Sequence, residues 1–198
     1  NTAYSCHVSA ICAPGDTSSL STPTFFTTAC APTLAPINEN FDSGFSPCWS
    51  QDIINDDFDW ELEDGGTPSN GTGPDDDVSI GGNYMYTEAS APRQDGDFAI
   101  MYSEEIDLST LTNPEIRFYT HMYGSAIGEL QVDVFDNGSY TTIFNKIGEQ
   151  VDAWVEEVIL INPTSTIVHF RITGILGVNA NGDTWPGDIA IDEFSVVE

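Results

Sequence analysis

Residues 187 to 198, GDIAIDEFSVVE, put Asp188, Asp192 and Glu193 on or beside an alternating run of Ile189, Ile191 and Val196. Alternation of this kind marks a strand with one face in a core, so those carboxylates need something to offset their charge. The shortage of cations is general: 32 Asp and Glu face 4 Lys and Arg, for a formal net charge of −28. Carboxylates without cationic partners either stay in water and repel one another or are neutralised by bound metal. Calcium draws about six to eight oxygens from carboxylates, backbone carbonyls and water, and irregular Gly/Asp loops supply all three. The stretch NDDFDW crowds Asp56, Asp57 and Asp59 into one turn-like segment, and PDDDVSIGG and YTEAS contribute Asp77 and Glu88 as a second set. None of these stretches has the calcium-loop spacing D-x-[DN]-x-[DN]-G, and the alternative reading is a solvated acidic surface.

The same charge excludes function classes. Binding to nucleic-acid phosphate or to anionic lipid needs a basic surface, which this chain lacks. No run of about 18 apolar residues occurs, so no membrane insertion is expected. His7, His121 and His169 are scattered and do not have zinc spacing with the cysteines. There is no G-x-S-x-G elbow, no H-E-x-x-H and no Gly-rich phosphate loop, and with so many acids any carboxylate pair is uninformative. The expectation is that the chain is not an enzyme.

The elements that must position these carboxylates are strands. Hydrophobic residues make up 40% of 198 residues, which is enough for a sizeable core and is unlike a disordered acidic tail. Short apolar runs with Thr, Ser, Gly, Asn and Pro between them predict an all-β chain. Strand candidates are 83 to 89, 97 to 102, 115 to 123, 128 to 136, 140 to 147, 154 to 161, 166 to 174 and 187 to 197, with Asn137-Gly138 as a hairpin turn. Without a convincing helical period, this spacing predicts a sandwich of two antiparallel sheets. Residues 1–29 differ: strand-like runs at Tyr4 to Ile11 and Pro23 to Thr28 flank a polar loop. On a strand of that length Cys6 and Cys12 stand about 20 Å apart at roughly 3.3 Å per residue, too far to pair with each other. The chain carries no initiating Met and no signal peptide, and reads as a piece of something larger.

Two family resemblances follow. Thr2-x-Tyr4-x-x-x-Val8-x-Ala10 and PTFFTT resemble the last two strands of a fibronectin type III domain, which makes residues 1–29 a β-hairpin remnant of such a domain. From residue 30 to 198, FDSGFSPCWSQ, DDFDWELEDGGTPSNGTGP, GGNYMYTEAS, IRFYTHMYG and GDIAIDEFSV resemble, in order, the signatures of the MAM domain. That resemblance implies a jelly-roll β-sandwich used in extracellular adhesion or oligomerisation, with other extracellular proteins or copies of itself as partners. It also implies a Cys30–Cys48 disulfide, hence a secreted or cell-surface location. A second family bridge is doubtful, because Glu115 stands where one of its cysteines would be. Related jelly rolls hold a structural cation where the acid after the first Phe meets the penultimate Asp; carried over, the calcium candidates are Asp42, Asp57, Asp59 and Asp192, with Asp77 and Glu88 as the second set. The alternative function is a carbohydrate-binding accessory of a secreted hydrolase or peptidase. Polysaccharide would then be the partner and Trp60, Trp154 and Trp185 the stacking platform, although core or loop-anchoring roles suit each tryptophan too. Asn70 and Asn137 sit in glycosylation acceptor patterns.

Overall fold

The structure, a computed structural model, describes residues 3–198, and every regular element in that range is a strand. It divides into two compact units, one ending at Ala31 and one spanning Pro32–Glu198.

In the first unit β1 (Ala3–Cys6) pairs antiparallel with β4 (Thr24–Thr27), and β2 (Ile11–Ala13) pairs with β3 (Asp16–Thr17). The single strand expected from Tyr4 to Ile11 is therefore broken after Cys6. The cause is local: Ser21 and Ser18 hydroxyls accept the N–H groups of Val8 and Ala10, where a regular ladder would use carbonyls. Tyr4 and Phe26 stack at 5.6 Å yet both remain exposed. Thr2, part of the type III resemblance, lies outside the described residues.

The second unit is a β-sandwich of jelly-roll type. Its seven-stranded sheet runs β14 (Ser139–Ile147), β13 (Glu129–Asp136), β16 (Ile167–Ile175), β10 (Phe98–Tyr102) and β7 (Ser50–Gln51), with β11 (Ile106–Asp107) on β16 and β5 (Thr33–Leu34) on β11. The six-stranded sheet runs β15 (Val155–Leu160), β12 (Glu115–His121), β17 (Ile189–Val197), β9 (Tyr84–Thr87) and β8 (Glu61–Glu63), with β6 (Ile37–Glu39) on β17. All eight strands expected from alternation are present in this unit. Their inward residues, among them Phe118, Phe170, Ile172, Ile191, Phe194 and Val196, are fully buried. Phe194 lies at the centre, with its ring 5.4 Å from Trp49, 5.9 Å from Phe118 and 5.4 Å from Phe170. Burying such rings is the main force holding two sheets together.

Candidate cation site beside the last strand

β17 is a central strand, and one of its edges is shared by two short partners. β9 pairs with Ile189, Ala190 and Ile191, and β6 with Phe194, Ser195 and Val196. Asp192 and Glu193 fall in the gap between them. On the other edge the register with β12 shifts between Arg117 and Tyr119, and Glu193 takes a left-handed φ of 51°. This is a β-bulge: one extra residue re-aims its neighbour's side chain.

Three carboxylates lie about that gap: the charge of Asp77 acts on Asp192, and Asp42 meets Asp77 across Gly82. Asp192, 1% exposed, accepts Val78 N–H with Oδ2 at 3.1 Å and Glu193 N–H with Oδ1 at 2.7 Å. Asp42 follows β6; its Oδ1 accepts Asn83 N–H at 3.0 Å and its Oδ2 the Asn40 amide at 2.6 Å. Asp77, on the loop that leads into β9, uses Oδ2 for the hydroxyl and N–H of Ser79, while its buried Oδ1 has no hydrogen-bond partner. Gly82 lies between them: a side-chain carbon there would stand 1.9 Å from Asp42 Oδ1 and 2.6 Å from Asp77 Oδ2. Three of the four non-glycine residues with positive φ border this place, namely Phe41 (56°), Ile80 (66°) and Glu193. Such backbone persists only where its surroundings hold it.

The electrostatics fit a place short of positive charge. Burial pushes the Asp192 pKa up to about 7, and the charges of Glu193 and Asp77 add to this. Burial also acts to raise Asp77, but the Ser79 hydroxyl and the N–H groups of Gly82 and Ser79 outweigh it and leave its pKa below the ordinary value. Among the described residues, no three His, Cys, Asp or Glu side chains form a ready metal cage. A cation here would have to complete its shell with carbonyls and water, as calcium does.

The other acids of the expected set are placed elsewhere. Asp57 Oδ2 accepts Phe98 N–H and Asp56 Oδ2 accepts Ile100 N–H, so this loop finishes the edge of β10 in the opposite sheet. Asp59 is exposed on the same loop. Asp77 and Glu88 do not form a pair; Glu88 lies close enough to Asp188 to raise its pKa. Sequence reading noted Asp188 but gave it no partner. It is fully buried, its Oδ1 accepts Ala89 N–H at 3.1 Å, and its Oδ2 has no hydrogen bond, because the nearby Thr67 hydroxyl donates to Thr72 O. Burial raises its pKa to about 7.

The three tryptophans do not form a row. Trp60 is 3% exposed and its indole N–H donates to Ala99 O, which makes it a core anchor. Trp154 packs on Tyr84 and His121 and donates to Asp76 O at 2.9 Å, so it fastens the loop that carries Asp77. Trp185 is 43% exposed and lines a separate cavity of about 410 Å³. Cys30 and Cys48 are disulfide-bonded, and Cys6 and Cys12 are free, exposed thiols.

Comparison with known proteins agrees with the architecture. The family described as "MAM domain, meprin/A5/mu" matches residues 40–197. A human relative, MAM domain-containing glycosylphosphatidylinositol anchor protein 2, is 32% identical over 184 residues, covering 84% of this chain and 18% of the relative. The chain thus spans under a fifth of that relative's length. Among solved structures, the K1 cleaved adhesin domain of Lys-gingipain from Porphyromonas gingivalis W83 superposes with a TM-score of 0.54 at 14% identity, covering 82% of this chain and 97% of that one. The carbohydrate-binding module TmCBM61, solved with β-1,4-galactotriose, superposes with a TM-score of 0.52 at 15% identity, covering 80% and 94%. At such identities these two likenesses concern the fold alone.

Proposed function

Because the chain belongs to the MAM domain family, we propose that it is a non-catalytic interaction module of an extracellular or cell-surface protein, with calcium clamping its terminal strands. The observation that carries this reading is the meeting of Asp42 and Asp77 at Gly82 beside Asp192, with Asp77 Oδ1 buried and unpartnered. A divalent ion there offsets three carboxylates at once and ties β6, β9 and β17 together. Fixed strand ends make a rigid unit suited to adhesion, and millimolar extracellular calcium keeps such a site loaded. The β1–β4 hairpin fits the end of a neighbouring type III-like module, which would place the chain in a string of domains.

Titration calorimetry with calcium and with magnesium tests the clamp. The expected result is saturable calcium binding with weaker magnesium binding, and its loss in Asp77→Asn. Equal calcium binding by wild type and Asp77→Asn would overturn it. For the adhesive role, beads coated with the whole chain should cluster in calcium and disperse in chelator if copies of the chain are partners.

A second reading, glycan as partner, is favoured by the exposed Trp185 beside a cavity. It draws further support from the sugar-bound neighbour of the same fold.

A further inference from the structure

Cations are so scarce in this chain that their pairing is informative. Arg117 bonds Glu115 and Glu156, Lys146 bonds Glu157, and Arg171 bonds Asp133. Among the described residues, only Arg93 has no carboxylate partner. Its guanidinium lies 4.3 Å over the Phe58 ring, and its Nε is buried without a hydrogen bond. Arg93 lines the cavity of about 410 Å³ whose other walls include Gln94, Asp95, Asp183 and Trp185.

The walls are fixed before any ligand arrives. Gly96 N–H donates to Leu176 O at 3.0 Å, and the Thr184 hydroxyl donates to Ala89 O at 2.6 Å, so the segment after β9 is tied to the one between β16 and β17. Within the latter, Asn179 Oδ1 accepts the N–H groups of Asn181 and Asp183. The side chains that face outward are nonetheless uncommitted: no hydrogen bond joins Gln94 Nε2, Asp95 or the Trp185 indole N–H to another described residue. Preorganised walls with polar tips open to solvent around an exposed aromatic ring suit a binding site.

The chemistry selects the ligand. An indole face packs against the C–H face of a pyranose, while adjacent carboxylate and guanidinium groups accept from and donate to neighbouring hydroxyls. Asp95 and Asp183 in the walls, on a molecule of charge −28, repel uronic acids and sulfated sugars. We therefore propose that the Trp185 cavity binds a neutral glycan, an inference that rests on the glycan reading of the partner given above.

The test is calorimetric titration of the whole chain with cellohexaose, mannohexaose, xylohexaose and β-1,4-galactotriose, with polygalacturonate and oligolysine as charged controls. Wild type should bind at least one neutral sugar saturably. Trp185→Ala should bind it about ten-fold more weakly, while still unfolding in one cooperative step, because the hydrogen bonds that fix the walls do not use the indole. Gln94→Ala should weaken binding in the same direction. If wild type binds no neutral sugar, both the glycan reading and the site fall. If sugar binding survives Trp185→Ala but is lost in Tyr140→Ala, on the Tyr102–Tyr140–His169 face of the seven-stranded sheet, the glycan reading stands and this site is wrong. Trp185-dependent binding of polygalacturonate or oligolysine alone would also overturn the proposal.

Discussion

At the scale of residues, the acids that burial pushes up to a pKa of about 7 are Asp192, at the proposed cation site, and Asp188, away from it. The raised pKa of Asp188 makes stability depend on pH with a definite sign. Unfolded, an aspartate releases its proton near about pH 4; folded, Asp188 keeps it to about 7. Between those values the folded state binds more protons, so stability is greatest at acid pH and falls as pH rises through this window. Asp188→Asn mimics the protonated acid. It should leave the unfolding midpoint near wild type at about pH 4 and raise stability by roughly 1–3 kcal/mol at about pH 8, measured by thermal unfolding at both. A variant destabilised at both pH values would show that Asp188 accepts more than its visible bond. Gly82 gives a second prediction. Gly82→Ala places a carbon 1.9 Å from Asp42 Oδ1, so it should weaken calcium binding at least ten-fold by calorimetry; unaltered affinity would mean that Asp42 is no ligand.

Among the elements, the long strands were legible and the short ones were not. Alternation over five or more residues gave β10, β12 to β17 and the core of β9, because one face of each is buried. β5, β7, β8 and β11 have two or three residues, too few to show a period. The loop from Asp52 to Asp59 holds acids that the structure gives another task. Its crowding of carboxylates, not any calcium-loop spacing, made it a candidate, and Asp56 and Asp57 cap the N–H groups of Ile100 and Phe98 where β7 stops pairing with β10. No sequence rule separates a carboxylate that caps a strand edge from one that binds metal. Asp57→Ala should therefore cost about 1 kcal/mol equally in calcium and in chelator, whereas a ligand's loss shows only in calcium. At the level of sequence a family resemblance set Asp42 beside Asp192, and β6, which Asp42 follows, does pair with β17. Asp77's part in the gap could not be read in advance, since it depends on β9 and β6 sharing one edge of β17.

For the whole molecule, a net charge of −28 means mutual repulsion that added salt screens. Sodium chloride should raise the unfolding midpoint in chelator, and a calcium effect must be measured at constant ionic strength to be separated from it. Composition disclosed that problem but not the bulge at which a local solution is proposed. The most direct measurement is thermal unfolding of wild type and Asp192→Asn in millimolar calcium and in excess chelator, with salt matched. An ion at about a hundred times its Kd contributes about 2.7 kcal/mol, or roughly 5–10 °C for a domain of this size. Wild type should lose that much on chelation and Asp192→Asn almost none. A wild-type midpoint indifferent to chelator, or an equal drop in both proteins, would contradict a calcium clamp at the terminal strands.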